Sequence, residues 1–297
     1  MTVSRLLVTF LFLAGCTAAP PTTPASAPGP VAASPSTTAS PSTTASPSLT
    51  THPAGESATP TPSATRTTAS PSPRTTADQP AKPLAGRTIV VDPGHNGVWT
   101  KALNRQVPAG NGRTKPCNSS GTAGGDFPEH AFAWALGQEL VARLQRLGAK
   151  VVLTRPNDHG SGPCVNVRAA ITNRAKPDAL VSLHADGNLT KGARGYHIIV
   201  SSTMLGGAAV ERESVALAKD LRAQLDDTAL PRSTYIGGGT ALHARTDIAG
   251  LNLIKVPGVM LELGNMRNAA DLALQRSAGF RRTLARALAD GLTEALR

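Results

Sequence analysis

Aromatic residues are scarce in this chain: two Trp, two Tyr and five Phe among 297 residues. None stands between Phe12 and Trp99. Residues 17–83 are almost entirely Pro, Ser, Thr and Ala, with repeats such as Ala39-Ser-Pro-Ser-Thr-Thr-Ala45. Such a segment cannot bury enough apolar area to offset its ordering entropy, so a linker is expected there. A flexible chain of that length has a reach on the order of 45 Å, and more where proline stiffens it. Long apolar runs are also lacking. Leu6 to Ala14 follows the first charged residue, Arg5, and ends in small residues. It is too short for a membrane-spanning helix and reads as a secretory signal. Leu13-Ala14-Gly15-Cys16 looks like a bacterial lipobox, in which Cys16 becomes the lipidated N-terminus after cleavage. An ordinary signal peptide with an incidental Cys16 is the alternative.

Cysteine is rare too, with three in the chain. If Cys16 carries lipid, Cys117 and Cys164 remain as a pair in an oxidising compartment. A disulfide between them closes a loop of nearly fifty residues and stabilises by roughly 3–4 kcal/mol in the chain-entropy model. Neither belongs to a C-x-x-C pair, which argues against zinc held by the two thiolates. The net charge is +11. Most of it lies in 84–297, as suits an anionic partner such as wall polymer or a membrane surface. No motif with interleaved aromatics points to nucleic acid, and beyond the 17–83 segment there is no internal repeat.

Composition becomes that of a globular domain from Leu84, giving three segments: 1–16, 17–83 and 84–297. Strands are expected at 88–92, 150–154, 179–183, 196–200 and 257–261, where β-branched and apolar residues run together. Helices are expected from Pro128 to Gly148, over 166–176, over 209–226 and from 278 to the end. The first carries Phe132, Leu136, Leu140, Leu144 and Leu147 on one face. Residues 96–127 are too long for a simple connection and imply a functional or disulfide-pinned loop or hairpin. Alternating strands and helices argue for an α/β fold, a single twisted mostly parallel sheet with helices on both faces.

Three of these strands end in chemistry-bearing residues: His95 after Val90-Val-Asp-Pro-Gly94, His184 after Ala179-Leu-Val-Ser-Leu183, and Glu262 after Val259-Met-Leu261. In open α/β sheets the carboxyl ends of strands are where reactive groups collect. Glu129 stands in the first turn of the first helix, beside the positive end of its dipole. Two His and one Glu form one of the catalytic zinc sets, which keeps a position open for water. Glu262 is then available as general base. His130 and Asp126 compete with Glu129 as ligands; adjacent helical residues diverge by about 100°, so His130 and Glu129 cannot both face the metal.

His95 within Val-Asp-Pro-Gly-His, Glu129, Ser182-Leu-His184-Ala185 and Leu261-Glu-Leu-Gly-Asn265 together resemble the zinc-dependent N-acetylmuramoyl-L-alanine amidases of bacterial cell walls. Leu153-Thr-Arg155 and Arg168-Ala-Ala-Ile-Thr-Asn173 resemble that family as well. The resemblance runs from about 87 to 296. It implies one zinc ion on His95, Glu129 and His184, with Glu262 catalytic. The reaction it implies is hydrolysis of the amide between the lactyl group of muramic acid and L-Ala of the stem peptide. Asp126 then caps the helix, and His130, His159, His197 and His243 are structural. Asp92, Asn96, Arg168 and Asp186 are expected to orient the site or touch substrate, and Asn173 shares that choice with a purely structural role. Trp99 is a candidate to stack on sugar, while Trp134 is expected to pack on the sheet.

Departures from the family pattern are Asp186, where Asn is common, and Asn265 after Gly264 in place of a Gly-Phe pair. Residues 201–256 read as one helix and loops, without an added helix plugging the site. A salt-bridged structural Glu262, beside Arg245 or Arg267, is the bland alternative to catalysis. Partners expected are peptidoglycan or muropeptides and, through lipid on Cys16, the outer face of the membrane; a monomer is expected, and an activator is left open. The rivals are a silent wall-binding module of the same fold and a zinc peptidase cutting within the stem peptide.

Overall fold

The computed structural model describes residues 82–297. The signal, the lipobox with Cys16 and nearly all of the expected linker lie outside these residues. The elements in order are β1 (Thr88–Pro93), a hairpin of β2 (Gln106–Gly110) and β3 (Arg113–Pro116), and a short pair, β4 (Ala123–Gly124) and β5 (Phe127–Pro128). Then come α1 (Glu129–Arg146), β6 (Lys150–Leu153), α2 (Val165–Ala175), β7 (Ala179–Asp186), β8 (Tyr196–Ser201) and α3 (Gly207–Leu225). The chain closes with β9 (Leu242–Arg245), α4 (Ala249–Asn252), β10 (Gly258–Asn265), α5 (Ala269–Arg276) and α6 (Ala278–Ala295).

Six strands form the main sheet in the order β6-β1-β7-β10-β8-β9. Strands β6, β1, β7 and β10 are mutually parallel; β8 runs antiparallel to β10, and β9 is parallel to β8. Alternation divides the side chains between two faces. Ile89, Val91, Val181, Leu183, Val259 and Leu261 pack with residues of α1, α3 and α6. Val90, Leu180 and Ile199 pack with Ala169 of α2 and with Ile248, Leu251 and Ile254 around α4. Both faces are covered, so the inner strands read as continuous apolar runs. On α1, Phe132, Leu136, Leu140 and Leu144 are fully buried. Each contributes roughly 1.5–3 kcal/mol of apolar burial. Gly148, at φ +96°, ends that helix in the left-handed region.

Several expectations are corrected. Pro128 does not open α1; it is the N-cap residue, and Asp126 does not cap the helix. The reason is the β4–β5 pairing, which keeps Phe127 and Pro128 extended. Asp126 pairs with Arg276 instead. Over 96–127 the expected alternative of a disulfide-pinned hairpin holds: β2 and β3 pair there, with Asn252 donating to the Ala109 carbonyl at 3.0 Å. Residues 201–256 hold α3 but also β9 and the one-turn helix α4. Trp134 is half-buried, with the Arg155 guanidinium 4.9 Å from its ring, rather than packed on the sheet.

Cys117 and Cys164 form a disulfide, separated by 47 residues in sequence. It ties the end of the hairpin to the start of α2, where Val165 also donates to the Cys117 carbonyl at 2.9 Å. Replacing both cysteines with Ser is expected to lower unfolding free energy by about 3–4 kcal/mol. Urea denaturation reads this directly; a loss below about 1 kcal/mol would mean that residual structure in the unfolded chain already closes the loop.

Candidate metal centre

The site is built on the turn after β1. Its carbonyls point inward and meet two buried guanidinium groups. The Pro93 carbonyl accepts from Arg155 Nε at 2.9 Å and from Arg168 Nη1 at 2.8 Å. Arg155 Nη2 also donates to the His130 carbonyl at 3.0 Å, and Arg168 Nη2 to the His95 carbonyl. Asp92 balances the charge: it accepts from Arg168 Nη1 at 2.8 Å, from Ser182 Oγ at 2.6 Å and from Thr154 Oγ1. Burial pushes the Asp92 carboxyl up, but the Arg168 charge and these hydrogen bonds outweigh it and hold it at about 2. Held this way, His95 adopts φ +57°. That conformation is uncommon for a residue with a Cβ and needs such support.

The His95 ring faces a strap of chain at Asn118–Thr122. Its Nδ1 lies 3.1 Å from the Ser119 carbonyl. Donation there fixes the tautomer and leaves the Nε2 lone pair free. From the same strap, Thr122 donates its N–H to Glu129 Oε2 at 2.9 Å. Glu129 Oε1 accepts from the Ala185 N–H at 3.1 Å. Two glycines make room: a Cβ on Gly121 would come within 2.8 Å of Glu129 Oε2, and one on Gly94 would collide with the His184 ring.

These contacts bring His95 Nε2, Glu129 Oε1 and His184 Nδ1 together. The separations are 2.9 Å from Glu129 to each histidine and 3.1 Å between the histidines. The side chains are between 5% and 13% exposed, so water screens them poorly. Burial alone would raise the Glu129 carboxyl, yet its bonds to His184 and His95 drive it well below the carboxylate range. Burial opposes a charged His95, but Glu129 outweighs it and raises that imidazole above its ordinary value. Three donor atoms converging on one point fit a divalent cation. Ligands at 2.0–2.2 Å around a tetrahedral zinc stand about 3.3 Å apart, a short step from the observed spacings.

Glu262 is the register partner of His184 on β7 and of His197 on β8, so the three line one face of the sheet. Its Oε2 is buried without a hydrogen-bond partner. Burial pushes its carboxyl up to about 8. Neither rival cation holds it: Arg245 pairs with Asp247 at 2.6 Å, and Arg267 makes no ion pair among the described residues. Asp186 accepts from Tyr235 Oη at 2.8 Å and from the Gly187 N–H at 2.6 Å. Beside the donors, the apolar side chains of Val165, Leu180, Ile248 and Met260 line a cavity of about 170 Å³, with Lys115 of the hairpin among its walls.

Asp92, Asn96 and Arg168 therefore form one buried network beneath His95, since Asn96 Oδ1 also accepts from Arg168 at 2.6 Å. Asn173 takes no part in it; its amide pins residues 253 and 255 ahead of β10. His130 bonds Asp158 at 2.9 Å, away from the donor cluster. Sequence reasoning gave no role to Arg155 or to the Asn118–Thr122 strap. Arg155 lay in a recognised motif, but only the fold reveals its acceptors.

Comparison with known proteins identifies the family. The sequence pattern of a family described as N-acetylmuramoyl-L-alanine amidase matches residues 89–294. N-acetylmuramoyl-L-alanine amidase Rv3717 of Mycobacterium tuberculosis is 45% identical over 210 residues, which cover 70% of this chain and 86% of the relative. A probable cell wall amidase of Staphylococcus aureus, LytH, is 26% identical over 71% of this chain and 58% of its own length. Among solved structures, the amidase Ami1 of Mycobacterium smegmatis matches with a TM-score of 0.68 and 44% identity, covering 72% of this chain and 98% of that one. Ami1 of Mycobacterium abscessus, in its apo form, matches with a TM-score of 0.68 and 43% identity, covering 72% and 100%. A family match over more than half the sequence, with close relatives sharing both sequence and fold, places this chain in the N-acetylmuramoyl-L-alanine amidase family.

Proposed function

We propose that this protein is a zinc-dependent hydrolase of peptidoglycan, cleaving the amide between N-acetylmuramic acid and L-Ala of the stem peptide. The observation that carries this reading is the convergence of His95 Nε2, Glu129 Oε1 and His184 Nδ1 beside the unpartnered Oε2 of Glu262. His95, Glu129 and His184 would hold the ion. When bound, zinc supplies Lewis acidity, polarising the amide carbonyl and acidifying a water. In its ionised form, Glu262 Oε2 takes a proton from the attacking water. As the water oxygen bonds to the lactyl carbon and the C–N bond breaks, Glu262 passes that proton to the departing L-Ala nitrogen. The products are a free lactyl carboxylate and a free amino terminus. Asp92, Asn96, Arg155 and Arg168 keep the His95 turn in place. The charge of 84–297 and the kinship with a probable cell wall amidase support action in the wall, and Leu13-Ala-Gly-Cys16 is the ground for reading Cys16 as a lipid anchor.

Mass spectrometry of a defined muropeptide after incubation with the protein tests the reading. Stem peptide beginning at L-Ala is the expected product. Shortened stem peptides would identify a peptidase instead, and wall binding without any product would point to a silent module or to a missing activator.

Arg168 gives a further test of the positioning network. Arg168→Lys keeps the charge but not the fork that reaches Asp92, Pro93, His95 and Asn96. Zinc affinity is expected to fall by about 10–100-fold, as outer-shell changes do. Competition with a chelating dye measures it, and an unchanged affinity would mean that the turn holds its shape without the guanidinium.

A further inference from the structure

The donor cluster has a second depression beside it. The apolar cavity lies on one side, against His95, His184, Asn118 and Ser119. On the other side of the strap, Ser120, Gly121 and Thr122 border an open cleft of about 360 Å³ that also meets Trp99, His130 and Arg267. Nothing in the chemistry above uses this cleft.

Trp99 is the unusual part of it. The indole is 46% exposed, and its neighbour Val98 is 44% exposed. What singles the pair out is its place: the exposed indole borders a cleft beside the donor cluster, where an apolar surface rimmed by polar groups suits a ligand. The backbone beneath them is fixed. Val98 donates its N–H to the Gly160 carbonyl at 3.1 Å. Any side chain at Gly97 would run into the Asp158 carbonyl, so glycine permits the close approach. Asn96 is held between Arg168 and the Ser161 carbonyl. The ring is thus presented on a rigid rim, and little ordering entropy is lost on binding. Around it stand polar groups free to bond a ligand: the Arg267 guanidinium makes no ion pair among the described residues, and His130 uses only its Nδ1.

We infer that this cleft is a glycan subsite, with Trp99 as the platform for a sugar ring; the inference rests on the amidase reading. A pyranose has a C–H face and a rim of hydroxyls, which matches a flat apolar surface with polar neighbours. The scissile amide joins a sugar's lactyl arm to a peptide, so the two parts of the substrate leave the donor cluster in different directions. The stem peptide is a short pendant and fits the narrower cavity walled by Lys115. The glycan is a polymer and needs an open path, which the Trp99 side provides.

Calorimetric titration of the full-length, zinc-loaded protein with soluble, peptide-free strands of alternating N-acetylglucosamine and N-acetylmuramic acid tests this. Binding is expected, weakened about tenfold in Trp99→Ala and largely restored in Trp99→Phe. Absence of binding by the unaltered protein, or equal binding by Trp99→Ala, would overturn the subsite. A kinetic arm separates this from the parent reading. The unaltered enzyme should prefer a disaccharide-linked peptide over a lactyl-peptide lacking the sugar, through KM, and Trp99→Ala should lose that preference. Equal cleavage of both substrates by the unaltered enzyme sinks the subsite while leaving the amidase intact. Trp99-dependent glycan binding with no cleavage of either does the reverse.

Discussion

Glu262→Gln lowers kcat by about 10³-fold, within the range that removal of a general acid–base residue gives. Zinc content stays at that of the unaltered enzyme, because Glu262 is not among the three converging donors. The same change stabilises the metal-free protein at alkaline pH. The sign follows from the carboxyl's position in the two states. In the folded chain burial raises it from 4.5 to about 8. Between those values the unfolded chain has released its proton and the folded chain has not, so stability falls as pH rises through the window. Above it the folded state carries a buried anion whose Oε2 has no partner. Gln never ionises and escapes this loss. Thermal unfolding of the metal-free proteins should therefore show Glu262→Gln melting higher than the unaltered chain at pH 8.5 and close to it at pH 4. Equal melting at both, with full activity, would return Glu262 to a structural role.

Removing the metal has the second large effect. Treatment with a strong chelator abolishes turnover, and added zinc restores it. His184→Ala abolishes it too, but zinc does not restore it, since one of the three donors is gone. Stability moves in parallel: a ligand present at 1,000 times its Kd stabilises the native state by about 4 kcal/mol, so the chelated protein melts lower. Acid should strip the ion early. Zinc needs the neutral His95 imidazole, and in the metal-free site Glu129 raises that group's proton affinity above its usual value. Apparent zinc affinity therefore begins to fall at a higher pH than an unperturbed imidazole would give. Zinc release followed with a fluorescent indicator from pH 8 to pH 5 measures this. Retention of both ion and activity in excess chelator would remove the metal from the mechanism.

How much of this was legible in the sequence depends on the range of the interaction. His95, His184 and Glu262 stood out because each ends a run of apolar residues, and such runs mark strands locally. Glu129 stood out because α1 has a strong helical period after Pro128. The start of α1 was misplaced by one residue because β4 and β5, two residues each, leave no periodic trace. Strand β9 was missed for a similar reason: Leu242-His-Ala-Arg245 alternates over only four residues, holds no β-branched residue, and pairs only as an edge partner of β8. The pairing of Arg155 with the Pro93 carbonyl spans 62 residues and that of Arg168 spans 75. No local pattern encodes such bonds. Tertiary packing alone decides which carbonyl a buried guanidinium meets.

Those two guanidinium groups set the terms on which the centre could be moved to another scaffold. A graft carrying only His95, Glu129, His184 and Glu262 would reproduce the donors and lose what fixes them. His95 would relax from its left-handed backbone, and its ring would swing away from the others. The smallest portable unit also includes Asp92, Arg155 and Arg168, together with Gly94 and Gly121 for clearance. Together with the four grafted residues they come from strands β1, β7 and β10, helices α1 and α2, and the connecting segments that meet at this end of the sheet. The centre is thus a property of the sheet's whole rim, and a designer who borrows it must borrow the rim as well.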